Sequence, residues 1–109
     1  MKLIVAIVQD EDASRLVNQL MNAGFGVTKL ATTGGFLRAG NTTILTGVED
    51  EKIDDALKVI ESVCKSRKQI ASAHTSMAGV SGAYSPYPIE VMVGGATVFV
   101  LPVDQFIKM

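Results

Sequence analysis

The segment Lys2–Val8, KLIVAIV, constrains the fold more than any other part of the sequence. It is almost continuously apolar and rich in β-branched side chains, which is typical of a strand that is buried on both faces. The segment ATVFVLPV, residues 96–103, has the same character. We therefore predict a sheet in which at least the first strand is central and needs a cover on each of its two faces.

Two amphipathic helices are predicted to provide one of these covers. The first is capped by Asp10 or Asp12 and ends near Gly24, and the second begins at Asp50-Glu51. Their apolar positions follow helical spacing and are Ala13, Leu16, Val17, Leu20 and Met21 in the first, and Ile53, Ala56, Leu57, Ile60, Val63 and Cys64 in the second. Because each helix has one apolar side, the pair covers one face of the sheet, and we expect a homo-oligomer to cover the other.

The remaining strands determine the predicted fold class. They are assigned to residues 27–33, 42–48, 89–93 and 96–100, and the last two are separated by Gly94-Gly95, the composition of a tight hairpin. Residues 69–88, rich in Ser, Ala, Gly and Pro, are predicted to form a long loop. The order of elements indicates a single α+β domain over residues 1–109, a ferredoxin-like βαββαβ sandwich with a long loop and an extra strand before the last strand.

Charge and hydropathy exclude several kinds of partner. Ten Lys and Arg residues against eleven Asp and Glu give a net charge of −1, whereas nucleic-acid binding needs a basic surface, so no DNA or RNA partner is expected. No apolar run is long enough to span a membrane. The apolar run Leu3–Val8 is short and is followed at once by acidic residues, unlike a secretory signal. We expect a cytoplasmic protein with no membrane partner.

The sequence offers no catalytic residue and no metal site. His74 is the only histidine, and no cysteine or carboxylate lies near it at the spacing of metal ligands. The serines around it lack the context of a nucleophile elbow. Cys64 lies on the apolar side of the second helix, which is typical of a small core residue. We predict a protein that is not an enzyme and needs no cofactor.

The stretch Lys29–Thr43, KLATTGGFLRAGNTT, is the best candidate for a binding site. Backbone N–H groups in a glycine-rich turn can hold an anion, and residues 35–42 have the glycine spacing of a P-loop. However, Asn41 stands where a P-loop has lysine, and a strand follows where a helix is required. The stretch is therefore a different kind of anion-binding turn, or a flexible connection between two strands.

Phe36 and Asn41 favour the binding alternative. An exposed aromatic ring can stack on a base or fill a gap in the core, and a carboxamide can pair with the edge of adenine or stabilise a turn. Thr28 is an ordinary strand residue or a hydroxyl that faces the site. Taken together, these residues indicate a ligand of nucleotide size.

The same stretch resembles the cyclic di-AMP receptors of the PII-like signal-transduction family. The segments KLIVAIVQDED at the start of the chain, YSPYPIEV at residues 84–91 and VGGATVFVLPVDQF at residues 93–106 are also similar to that family. The resemblance implies a PII-like homotrimer that binds cyclic di-AMP between neighbouring subunits and relays its level to an unidentified protein partner by reordering loops. The alternative is a PII-like protein-interaction regulator that binds another nucleotide such as ATP.

The resemblance also implies a set of binding residues. Phe36 and Leu37 would cover a base, Asn41 would read its edge, and Phe99 with the terminal segment would close the pocket from another subunit. The implied cyclic di-AMP site consists of Thr28, Gly35, Phe36, Leu37, Asn41 and Gly47, with Gly26, Arg38, Phe99 and Lys108 as further candidates.

The chain departs from the family pattern at two places. Gly24 and Gly26 stand where the family usually has Asn and Arg, so one phosphate-binding guanidinium is missing. Ile107 and Lys108 stand where the family tends to have His and Gln. We expect a lower affinity from the first departure, and we expect Lys108 or Arg38 to restore positive charge near the phosphates.

Overall fold

The computed structural model describes residues 1–30, 40–71 and 89–109. A four-stranded antiparallel sheet contains β1 (Lys2–Gln9), β2 (Thr28–Leu30), β3 (Asn41–Val48) and β6 (Ala96–Pro102), in the order β2-β3-β1-β6. Helix α1 (Asp10–Asn22) follows β1, and a 3-10 turn (Asp50–Lys52) leads into helix α2 (Ile53–Cys64). A second, two-stranded sheet pairs β4 (Arg67–Ala71) with β5 (Ile89–Val93). This α+β arrangement is consistent with the predicted ferredoxin-like fold.

The core lies between the four-stranded sheet and the two helices. Strand β1 is central, as predicted, and pairs with β3 on one side and β6 on the other. Its alternate residues Ile4, Ala6 and Val8 are buried under the helices. The core residues contributed by the other elements are Ala13, Leu16, Leu20, Ile44, Val48, Ala56, Ile60, Val63 and Cys64.

The opposite side of the sheet, which we call the helix-free face, has no cover among the described residues. Strand register places Leu3, Val5 and Ile7 of β1 on this face, because successive side chains of a strand point to opposite sides. Each of these three is partly exposed, and Phe99 and Leu101 of β6 are 50% and 45% exposed. Among the described residues, this face therefore carries several apolar side chains that are open to solvent.

The predicted hairpin between residues 89–93 and 96–100 is wrong. Strand β5 pairs with β4, whereas β6 pairs with β1, so Gly94-Gly95 carries the chain from one sheet to the other. The first residues of the predicted 69–88 loop belong to β4, and residues 72–88 lie outside the described residues. The sequence did not reveal β4 because its partner strand follows 18 residues after it and the segment RKQIA has no strong alternation.

The start of α1 also differs from the prediction. The residue that caps the helix is Gln9, and neither Asp10 nor Asp12 acts as the cap. Both carboxylates instead bind side chains from other elements: Asp10 accepts a hydrogen bond from the Thr42 hydroxyl, and Asp12 binds Arg67. The predicted apolar side of α1 holds except for Met21, which is 59% exposed at the end of the helix. Gly24 ends the helix with a φ of 94°, as expected.

A partly buried ion pair joins α1 to the two-stranded sheet. Asp12 is 1% exposed, and its two carboxylate oxygens lie 2.9 and 3.4 Å from the guanidinium nitrogens of Arg67. Arg15 lies 3.6 Å from the same carboxylate and donates to the Val63 carbonyl at 2.9 Å. Burial, and secondarily the charge of Asp12, raises the pKa of the adjacent Cys64 to about 11. The thiol is therefore protonated at neutral pH, as expected for a core residue.

Gly94 is the most constrained glycine in the described parts of the chain. Its φ is 82°, and a Cβ there would lie 2.7 Å from the Lys65 carbonyl oxygen and 3.0 Å from that of Cys64, besides overlapping the Arg67 guanidinium. Gly95 also has a positive φ, 93°, but a Cβ there meets nothing within 4 Å. A comparison of substitutions at these two glycines therefore distinguishes the cost of the left-handed backbone conformation from the cost of steric overlap.

We predict that Gly94→Ala lowers the free energy of unfolding by about 3 kcal/mol or more, because backbone atoms must move in addition to the cost of the left-handed conformation. Gly95→Ala is expected to lose only about 1–2 kcal/mol, from the conformation alone. Urea denaturation of both variants measures the difference. Equal losses in the two variants would contradict the steric account of Gly94.

Candidate ligand-binding site

A groove of about 510 Å³ lies at one end of the helix-free face. Three of the predicted binding residues, Gly26, Thr28 and Gly47, line this groove together with Phe106 of the terminal segment. The other lining residues are Met1, Leu3, Val27, Leu45 and Thr46. The structure therefore brings residues from four separate parts of the sequence to one surface depression.

The backbones of β2 and β3 form the floor of the groove. Thr28 pairs with Leu45 in the antiparallel register, so Gly26 lies near Gly47, and the Thr46 hydroxyl donates to the Gly26 carbonyl oxygen at 2.6 Å. A Cβ at Gly26 or at Gly47 would meet no atom within 4 Å. The two glycines leave open space in which a ligand can approach the main chain.

Phe106 supplies the aromatic surface of the groove, and the sequence argument did not select it as a site residue. Its side chain is 66% exposed. The terminal segment is held in place where the Val103 N–H donates to the Met1 carbonyl oxygen at 3.2 Å, beside the start of β1. The sequence did contain a signal for Phe106. Pro102 ends the last strand, so an aromatic residue four positions later lies outside the sheet and is available to form part of a site.

Asn41 lies at the other end of β3. It pairs with Gln9, and it lines a separate pocket of about 270 Å³ whose other walls include Gln9, Gly94 and Thr97. Asn41 and Gly47 are six residues apart on one strand, which corresponds to about 20 Å. The structure therefore does not bring Asn41 into the groove of its own chain.

Asn41 and the groove residues nevertheless share the helix-free face. The register places Thr28, Leu45, Val5 and Phe99 in one row across the four strands, and side chains that are directly opposite lie on the same face. Asn41 and Gly47 lie on this face because they are an even number of residues from Leu45. All four described members of the predicted set that belong to strands, Thr28, Asn41, Gly47 and Phe99, are on one side of the sheet.

The remaining candidates are placed as follows. Gly35, Phe36, Leu37 and Arg38 lie outside the described residues. Lys108 is exposed, two residues beyond the groove-lining Phe106. The sequence argument missed a further cation, Lys52, which lines a pocket of about 250 Å³ together with Gly24, Gly26 and Gly47. Lys52 thus lines the same pocket as the two positions at which the family pattern has Asn and Arg, and Glu49 lines this pocket as well.

Other kinds of site receive no support from the described parts of the chain. Within residues 1–30, 40–71 and 89–109, no three His, Cys, Asp or Glu side chains are grouped in a way that would hold a metal ion. Neither of the described helices combines the length and the apolar character needed to cross a membrane.

Comparison with known proteins agrees with the resemblance seen in the sequence. The family model for cyclic-di-AMP receptors matches residues 1–109. A crystal structure of a protein from Pediococcus pentosaceus, described as functionally unknown, is 44% identical in sequence and superimposes with a TM-score of 0.79. The match covers 99% of this chain and 96% of that one. Because this family model matches the chain from the first residue to the last, the protein belongs to the cyclic-di-AMP receptor family.

Proposed function

We propose that this protein is a non-enzymatic receptor that binds cyclic di-AMP on its helix-free face, between the subunits of a homotrimer, and relays the level of this messenger to a protein partner. Membership of the cyclic-di-AMP receptor family supports the ligand. The observation that carries the proposal is the groove in which Gly26, Thr28 and Gly47 meet Phe106.

The chemistry of the groove suits a cyclic dinucleotide. The exposed ring of Phe106 can stack on a base, an interaction worth about 1–3 kcal/mol per base and indifferent to its identity. The Thr28 hydroxyl offers a hydrogen bond to a sugar or phosphate oxygen, and Gly26 and Gly47, where a Cβ would meet nothing within 4 Å, leave room for the ligand against the main chain. Lys52 lines the neighbouring pocket with Gly26, Gly47 and Glu49 and can donate a charge-assisted hydrogen bond to a phosphate bound there.

A neighbouring subunit is needed to complete this site. Asn41, the residue expected to read the edge of adenine, is about 20 Å from Gly47 along β3 in its own chain. A second copy placed against the helix-free face brings its own Asn41 toward the groove and at the same time covers Phe99 and Leu101, which are about half exposed. The burial of this apolar face is the driving force for assembly. A trimer closes the arrangement with three equivalent interfaces.

Binding of another nucleotide such as ATP is the second candidate function. It is favoured by Gly24 and Gly26, because the groove then lacks the guanidinium expected for the phosphates of cyclic di-AMP. Both functions use the same surface, so they are distinguished by the ligand and not by the location of the site.

We predict that isothermal titration detects binding of cyclic di-AMP and weaker or no binding of cyclic di-GMP. Gly47→Ala is expected to fold normally, since a Cβ there meets nothing within 4 Å, and to weaken binding by occupying part of the groove. Lys29→Ala is the matched control, because Lys29 lies on the same sheet but pairs with Ile44, which faces the helices. If ATP binds and cyclic di-AMP does not at high micromolar concentration, the second candidate replaces the first.

A gain of affinity provides an independent test. Gly26→Arg is expected to tighten cyclic di-AMP binding by about ten- to hundredfold, because the substituted residue has open space and can make charge-assisted hydrogen bonds to a phosphate. Gly26→Gln is the matched control of similar length without the charge. An Arg variant that binds no more tightly than the Gln variant would show that the phosphates lie elsewhere.

A further inference from the structure

The first turn of α1 contacts two parts of the protein, the start of β3 and the base of the two-stranded sheet. On one side, the Asp10 N–H donates to the Gly40 carbonyl oxygen at 2.8 Å, and the Thr42 hydroxyl donates to the Asp10 carboxylate. These bonds hold the residues on either side of Asn41, which begins β3. The position of Asn41 is therefore set by the main chain and the side chain of Asp10.

On the other side, the same turn holds the base of the two-stranded sheet. The Arg67 guanidinium binds both carboxylate oxygens of the buried Asp12, at 2.9 and 3.4 Å. The Gly94 N–H donates to the Gln9 side-chain oxygen at 2.7 Å. Arg67 is the first residue of β4, and Gly94 directly follows the last residue of β5, so each strand is attached at the same end of the ladder.

Among the described residues, no other element makes an extensive contact with the two-stranded sheet. Its strands pack mainly on each other, and their large apolar side chains are exposed, including Ile70 at 67% and Met92 at 60%. The Gly95 N–H also donates to the Cys64 carbonyl oxygen at the same base. A shift of Gln9 or Asp12 therefore acts directly on the bonds to Arg67 and Gly94 that attach this sheet to α1.

Gln9, Asp10 and Asp12 belong to one continuous stretch that joins β1 to α1, and their backbone is fixed by the β1–β3 ladder and by the helix. We therefore expect the two sets of bonds to move together, because Asp10, which bonds to Gly40 and Thr42, is joined directly to Gln9 and lies in the same turn as Asp12. A hydrogen-bonded element of this kind has the physical continuity that coupling between two sites requires.

We propose that the first turn of α1 is a coupling element that transmits the state of the Asn41 end of β3 to the two-stranded sheet β4–β5, through Asp10 on one side and Asp12–Arg67 with Gln9–Gly94 on the other. This proposal rests on the proposed function for the identity of the ligand, since Asn41 is a member of the expected site. The coupling itself is a property of the contacts and exists without ligand.

Hydrogen–deuterium exchange of the full chain without ligand tests the coupling. Thr42→Val keeps the shape of the side chain and all charges but removes the bond to Asp10, and it is expected to speed exchange of residues 67–71 and 89–93 by about three- to tenfold relative to β1. Thr46→Val is the matched control, since Thr46 lies on the same strand and face and donates instead to Gly26. Unchanged exchange of β4 and β5 in Thr42→Val would overturn the proposal.

A second arm uses cyclic di-AMP at saturating concentration. Bound ligand is expected to change the exchange of β4 and β5 in the wild type, and Arg67→Gln is expected to lose this change while still binding the ligand. Arg15→Gln should keep it, because Arg15 approaches the same carboxylate but donates to Val63 of α2 and not to the two-stranded sheet. If the wild type binds the ligand and the exchange of β4 and β5 does not change, the coupling is contradicted. If the wild type binds no ligand, the proposed function is contradicted, and the ligand-free experiment with Thr42→Val decides whether the coupling exists.

Discussion

Two helices cover one face of a sheet whose central strand is apolar on both faces, and most of the protein's expected behaviour depends on this imbalance. The covered face holds Ile4, Ala6 and Val8 in a closed core. The other face exposes Phe99 and Leu101 next to the residues of the candidate site. Burial of apolar surface lowers the free energy of the protein in water. The same surface can therefore drive assembly and form a binding cleft between copies.

The pattern of apolar residues was sufficient to predict both helices, the central position of β1 and the α+β class, because hydrophobic periodicity reports which side of an element is buried. It was not sufficient for β4 and β5. The two-stranded sheet that they form is attached to α1 by the ion pair between Asp12 and Arg67, which are far apart in sequence, and the turn after β5 needs the space available only to glycine at residue 94. Asp12 was predicted to cap the helix because capping preferences depend on the local sequence, whereas its ion-pair partner Arg67 is 55 residues away.

The candidate site was likewise predicted only in part from the sequence. Family resemblance placed Thr28, Gly47 and Gly26 in the site, and the structure brings these three into one groove. Phe106 and Lys52 were missed, since their contribution depends on how the terminal segment and the turn before α2 lie against β3. Asn41 lies at the other end of β3, outside the groove of its own chain. Hydrophobic periodicity does not show this separation, and it is the reason that the proposed site includes a neighbouring subunit.

Native mass spectrometry of the protein with and without cyclic di-AMP tests this account most directly, because it reports assembly and ligand count together. We predict an assembly with three times the 11.5 kDa mass of the single chain, which takes up to three molecules of cyclic di-AMP. A single chain of 11.5 kDa that binds the ligand without assembling would contradict a site shared between subunits.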